Sequence, residues 1–313
     1  MSARTTLAAD PGITVGHTTI PEHGTGCTVV LGPAEGLRAA AVLRGRATGT
    51  REFDVLDPRH LVDRVDAIFL TGGSANGLGA TDGVMRWLRE HNRGLRVGPE
   101  ALVPIVPAAV IFDLGNAGRP IGWPGPDDGY RACESASERI AEGRVGVGTG
   151  ATVGKAAGID KMMPAGLGMW AVAAGDLVVA ALVVVNAVGD VRNARGDIIA
   201  GARGADGEFL DSLRYLADGG APFGDASRLQ RNTTLAVIAT NARLDRLQLQ
   251  ELARAGSDAL ARRITPYGTQ YDGDVVFALS TAAAPAPSPT QIEALAALAV
   301  PEAVERSVPT GRS

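Results

Sequence analysis

The sequence predicts a mixed α/β protein of the α+β type, with sheets flanked by helices in one large domain. Short β-branched or apolar runs recur between turns along most of the 313 residues, as strands do. Helical patterns interrupt these runs without strict alternation. Two consecutive apolar runs, around Trp170 and Val183, have only Gly175-Asp176 between them, a hairpin signal that argues against a purely parallel, doubly wound sheet.

In chain order, strands are expected over Cys27–Gly32, Ala39–Arg44, Ala67–Gly72, Val106–Asp113, Arg144–Gly150, Met169–Ala174 and Leu177–Val185. Two more follow, in TTLAVIAT from Thr233 and in DVVFALS from Asp274. The stretch ATDGVMRWLREHN reads as an amphipathic helix, with Val84, Trp87 and Leu88 on one side against Arg86, Arg89 and Glu90. A second helix is expected where Leu244, Leu247, Leu252, Leu260 and Ile264 recur at mostly helical intervals. A third follows a Pro-rich linker, where Thr290-Gln291-Ile292-Glu293 reads as a capping box. The Gly- and Asp-rich stretch from Asn193 to Asn232 reads as an exposed, flexible connector with one short helical piece near Phe209 to Leu216.

Composition narrows function. Apolar residues make up 45% and charged residues 20%, ordinary values for a soluble globular chain. A formal net charge of −4 leaves no basic footprint for nucleic acid. Cys27 and Cys133 are the only cysteines, which gives neither a disulfide framework nor a zinc cage. No signal-peptide pattern opens the chain, and the most apolar run, Leu177 to Gly189, is too short to span a bilayer. A cytoplasmic protein without membrane, nucleic-acid, metal or cofactor partners is therefore expected.

Glycine-rich motifs carry little weight. GVGTGATVGK lacks the spacing and the hydroxyl after its lysine that a phosphate loop needs, so nucleotide binding is a minor alternative. Two places after Ser74 stands Asn76 rather than Gly, so Ser74 fails the nucleophile-elbow pattern and reads as a turn residue. His17 and His23 match no ligand spacing, and His60 and His91 read as surface residues. Lys155 and Lys161 are the only lysines among 30 basic residues, and lysine, unlike arginine, readily loses its proton beside a reacting group. On their own, Asn186 at a strand tip and the Asp272-Gly273-Asp274 stretch read as turn residues. If that stretch is extended, both Asp side chains share a face.

The most informative position is Asn232-Thr233, where a polar stretch runs into a buried strand. A mid-chain Thr hydroxyl is a poor nucleophile. Cutting the peptide bond before Thr233 frees an α-amine whose pKa of roughly 8 makes it a usable base, so one residue then carries nucleophile and base. The hydroxyl can make that cut itself by attacking the Asn232 carbonyl, and a flexible segment followed by a rigid strand suits the chemistry.

NTTLAVIATNARL followed by LARRITPYGTQYDGDVVFALS resembles the self-processing N-terminal-nucleophile hydrolases of the DmpA-type aminopeptidase family, and most of all their nylon-oligomer endohydrolase branch. ITVGH, TGCTVVL, LTGGSANGLGA, VPAAVIFDLG and GTGATVGKAAG fit the same family in the same order, so the resemblance covers nearly the whole chain. It implies a four-layer αββα sandwich, residues 1–313 as one hydrolase domain, self-cleavage into 1–232 and 233–313, and a homo-oligomer, often a tetramer. It implies Thr233 as nucleophile and Lys155 as a charge assisting the Thr amine or the self-cleavage. It further implies Asn186 as oxyanion donor and Asp272 and Asp274 as the pair orienting the Thr amine and hydroxyl. Phe112 stands where the family has a Tyr near the reacting group, so a hydroxyl is absent there. The expected substrates are short peptides, amino-acid amides or ω-amino-acid oligoamides. The alternatives are an aminopeptidase of D-, L- or β-amino-acid peptides and a non-catalytic binding protein that keeps the fold.

Overall fold

The computed structural model describes residues 2–4, 12–223, 232–285 and 288–309. Part of the expected connector, residues 224–231, and most of the segment before residue 12 lie outside the described residues.

Two sheets dominate. Their strands are β1 (Ser2–Arg4), β2 (Thr14–Ile20), β3 (Thr25–Leu31), β4 (Arg38–Gly45), β5 (Thr50–Arg51) and β6 (Ala67–Thr71). These are followed by β7 (Ala108–Val110), β8 (Leu167–Ala174), β9 (Leu177–Asn186), β10 (Thr233–Ala242) and β11 (Gly273–Ala284). Among the described residues one sheet runs β1-β8-β9-β10-β11-β4 and the other β2-β3-β6-β7-β5. Within the first sheet β10 and β11 are parallel and the other pairings antiparallel. The helices are α1 (Thr81–Glu90), α2 (Pro126–Glu134), α3 (Ser212–Ala217), α4 (Arg246–Leu260) and α5 (Pro289–Arg306).

Period-two alternation builds the layers. In β3 and β6, Cys27, Val29, Leu31, Ala67 and Phe69 face Val84, Leu88 and Ala132 of α1 and α2. The intervening Val30, Ile68 and Leu70 join the core shared with the other sheet. On that sheet's far side, Ile238 and Val276 pack against α4 at Gly256. The result is helices, sheet, sheet, helices, the αββα order expected. A two-residue turn at Gly175 (φ +60°) joins β8 to β9, with Ala174 opposite Leu177, as the hairpin signal predicted.

Several expectations change. Arg144–Gly150 is not a strand: Gly146–Gly150 forms a 3-10 turn, with Gly146 at φ +52°. Five residues with three glycines alternate like a strand on paper but lack side chains to pack as one. Only Ala108–Val110 of the Val106–Asp113 run pairs as a strand. Helix α5 begins at Pro289 with Ser288 as N-cap and no side-chain cap bond, so the Thr290 capping box does not form. Leu247 is 65% exposed, because the buried face of α4 runs through Leu249, Leu252, Ala253 and Leu260. The Asn193–Asn232 connector is more ordered than expected: Ile198–Ala200 pairs with Asp190–Arg192, and Asp211 caps α3.

Helix α5 rests directly on β8 at Gly168, where an added Cβ would lie 2.1 Å from the Ala303 carbonyl. Gly168→Ala is expected to destabilise the fold by about 1–3 kcal/mol. Gly79→Ala, with nothing within 4 Å, should stay within about 0.5 kcal/mol. Denaturant unfolding of the two variants measures the contrast.

Candidate active site

The central strands bring the candidate residues to one end of the first sheet. Strand β9 is buried along all ten residues and ends on Asn186, which pairs with Thr233, the first residue of β10. A wholly buried amide must find partners, and Asn186 has them. Its Nδ2 donates to the Phe112 carbonyl at 3.1 Å, while Oδ1 accepts from the Thr152 N–H at 3.2 Å and from Lys155 Nζ at 2.7 Å. The second Nδ2 hydrogen remains for another acceptor.

Lys155 reaches this point through its backbone. Gly154 and Lys155 donate their N–H groups to Gly189 and Val188, just past the end of β9. That pairing aims Lys155 Nζ at both the Oδ1 and the main-chain oxygen of Asn186, the latter at 3.0 Å. The side chain is 4% exposed, and burial lowers its pKa to about 7 against the opposing pull of Asp272 and Asp113.

The parallel register places Asn232 beside Asp272 and, two residues on, Thr234 beside Asp274. Asp272 and Asp274 therefore share a face, as period two predicted, and it is the face that carries Ile238, Val276 and α4. Thr233 lies on the opposite face with Asn186. The carboxyls consequently meet other groups than the Thr233 hydroxyl. Asp274 Oδ1 accepts from the Thr234 N–H at 2.5 Å, and Asp272 accepts from Val188 at 3.4 Å and from the N–H and hydroxyl of Thr269 at 2.9 and 2.6 Å. Burial raises the pKa of both, and for Asp274, with Asp272 close by, well above the ordinary carboxylate range. Asp274 Oδ2 is buried without a hydrogen-bond partner among the described residues.

Asn232 is fully buried, and its carbonyl accepts the Gly273 N–H at 2.7 Å. The peptide bond between Asn232 and Thr233 thus begins where β10 becomes part of the sheet. Phe112 enters the site through its backbone oxygen.

Sequence reading missed three participants. Thr152 supports Asn186; the Gly273 N–H has no side-chain signature at all. Asp113, next to Phe112, is fully buried and accepts from Thr25 Oγ1 and the Gly73 N–H, both at 2.7 Å. Burial pushes it up to about 6. An Asp closing an apolar strand was the available signal. Among the described residues no His/Cys/Asp/Glu group could hold a metal, and no helix is long and apolar enough to cross a membrane.

These layers are those of the N-terminal-nucleophile hydrolase fold. An L-aminopeptidase D-Ala-esterase/amidase from Ochrobactrum anthropi, described as a variant of that fold, superposes with a TM-score of 0.69 at 18% identity, covering 98% of this chain and 87% of that one. A Burkholderia β-aminopeptidase superposes with a TM-score of 0.66 at 21% identity, covering 95% and 84%. The chain belongs to Peptidase family S58, which it matches over residues 9–311, and is a hydrolase of that family. It is 43% identical over 279 residues to an uncharacterized aminopeptidase of Mycobacterium tuberculosis, covering 84% of this chain and 75% of that one. It is 33% identical over 287 residues to a 6-aminohexanoate-oligomer endohydrolase of Kocuria, covering 90% and 76%.

Asp113 makes stability depend on pH. Its pKa is near 6 when folded and roughly 3.9 when unfolded, so the native state holds the proton more tightly and stability falls as pH rises through that window. Asp113→Asn should therefore gain about 2 kcal/mol relative to wild type between about pH 4 and pH 8. Urea titrations across that range measure the difference.

Proposed function

We propose that this protein is a self-cleaving amide hydrolase that uses Thr233 as nucleophile and, after processing, as base. The observation that carries the reading is the clasp on the Asn232 carbonyl by the Gly273 N–H at 2.7 Å, immediately before a Thr that faces Asn186. Attack of Thr233 Oγ on the Asn232 carbonyl carbon puts negative charge on the oxygen that Gly273 already holds. The C–N bond breaks, the Thr233 nitrogen takes a proton, and an ester links Asn232 to the Thr233 oxygen. Water hydrolyses that ester, leaving chains 1–232 and 233–313.

The new α-amine emerges next to the Thr234 N–H, which Asp274 already accepts. The unpartnered Asp274 Oδ2 offers that amine a neighbouring acceptor. In turnover the amine takes the Thr233 hydroxyl proton as Oγ attacks a substrate amide, then passes it to the departing amine. The spare N–H of Asn186 stabilises the oxyanion, and water releases the acyl group. The scheme draws on no metal or organic cofactor. The substrate class is short peptides, amino-acid amides and ω-amino-acid oligoamides, a range supported by the aminopeptidase and oligoamide-hydrolase relatives.

Before the cut no α-amine exists, so another group must assist the hydroxyl. Lys155, half-deprotonated near pH 7 and bonded to the Asn186 that faces Thr233, takes that part.

The purified wild-type chain should give two bands on a denaturing gel, the smaller starting Thr-Thr-Leu by N-terminal sequencing. Thr233→Ala should give one. Two bands from that variant would sink the nucleophile assignment.

Self-cleavage should accelerate as pH is raised through about 7, where Lys155 loses its proton. Lys155→Arg, which keeps its charge, should slow cleavage at least about tenfold and abolish that rise, because arginine stays protonated in proteins. Band intensities followed over time at several pH values measure both effects.

A further inference from the structure

We propose that a small basic cavity beside the active site binds the free carboxylate of the substrate, so that the enzyme prefers short amides ending in a free acid. This rests on the reading of the site as an amide hydrolase. The cavity has a volume of about 170 Å³ and is lined by Gly24, Asn116, Arg119, Arg144, Thr152 and Met162, among others.

Its position comes from Thr152. That residue lines the cavity, and its N–H and hydroxyl donate to Asn186 Oδ1 at 3.2 and 3.4 Å. Asn186 pairs with Thr233, and paired strands lie about 5 Å apart. The cavity is thus linked to the nucleophile through Thr152 and Asn186.

Charge sets the ligand class. The whole chain carries a formal charge of −4, yet the cavity has two arginines and no acidic residue in its lining. Among the described residues neither Arg119 nor Arg144 forms an ion pair. Arg119 is pre-positioned: Nη1 donates to the Pro21 carbonyl, and an added Cβ at Gly24 would lie 2.6 Å from its Cδ. Asn116 Nδ2 donates to the Gly150 carbonyl at 2.8 Å, which fixes the amide beside them. Guanidinium groups match a planar carboxylate bidentately. Size sets the length, because drug-sized ligand pockets run to roughly 300–1,000 Å³, so this one takes a single residue-sized group.

The test uses two small probes on the wild-type protein: N-acetylalanine, and N-isopropylacetamide, in which a methyl replaces the carboxylate. Binding followed by ligand-detected NMR at low ionic strength should show the acid held at least about tenfold more tightly. The Arg119→Gln/Arg144→Gln variant should bind both within about threefold. Arg144→Gln alone changes an exposed side chain and should reduce the preference about threefold. Equal binding by wild type, or a preference that survives in the double variant, overturns the proposal. A denaturing gel of the same wild-type sample separates the two readings. An intact chain that still prefers the acid keeps the carboxylate site and counts against self-cleavage; a cut chain without the preference rejects the carboxylate site alone.

Discussion

The hydrogen bond from Lys155 Nζ to Asn186 Oδ1, 2.7 Å long and buried, is the interaction on which the site depends. Burying an ammonium group is costly unless it is well bonded, and the fold meets that cost with two oxygens of a single residue. The same contact fixes which way the Asn186 amide points. With Oδ1 committed to Lys155 and Thr152, Nδ2 must face the Phe112 carbonyl and the space beside Thr233. The contact orients the amide donor, while burial of the same lysine is what depresses its pKa.

That contact in turn requires the central strands to stop in register. Strand β9 ends at Asn186 where β10 begins at Thr233, and β11 begins at Gly273 beside them. The bond from the Gly273 N–H to the Asn232 carbonyl belongs to the parallel bridge between Asn232 and Asp272, which carries the β10–β11 pairing to the bond before Thr233. Gly273 also has to be small, since an added Cβ would lie 2.2 Å from the Ala47 carbonyl. The segment 46–47 is tied there by two N–H bonds to the Asp272 carbonyl. The clasp is thus held from both sides by backbone, which reorganises little as charge develops.

Sequence pattern reached the residues that announce themselves by type and position. The fully buried strands β9 and β10, the Gly175 hairpin and helices α1 and α4 follow from periodicity and turn chemistry. Thr233 followed from the junction of a polar stretch with an apolar strand. The roles proposed for Lys155, Asn186 and the Asp pair did not follow from local pattern, because Asn186 and the Asp pair look like turn residues alone and Lys155 stood out only as one of two lysines; only the ordered family resemblance joined them. Other features stayed out of reach for physical reasons. The carbonyl clasp is made by a backbone N–H, which every residue but proline carries. Asp113 lies in the loop after β7, far in sequence from Thr233, and is marked only by its burial. Arg144–Gly150 misled because alternation in a glycine-rich stretch does not report packing.

The opposite faces of Thr233 and the Asp pair sharpen how the proposed cut would change the site. In the intact chain the nitrogen of Thr233 is an amide locked in the peptide plane, and the carboxyls serve Thr234, Val188 and Thr269 instead. Alternation keeps the Thr233 side chain on the Asn186 face however the strand twists. The nitrogen is different, for it lies in the plane of the sheet, between the two faces. In the proposed scheme, loss of the Asn232–Thr233 bond leaves that nitrogen an amine free to turn toward the α4 face, where Asp274 Oδ2 has no hydrogen-bond partner among the described residues. The hydroxyl stays by Asn186. The proposed nucleophile and base would then answer to groups on opposite sides of one sheet, with the acid pair across the sheet from the Thr233 hydroxyl.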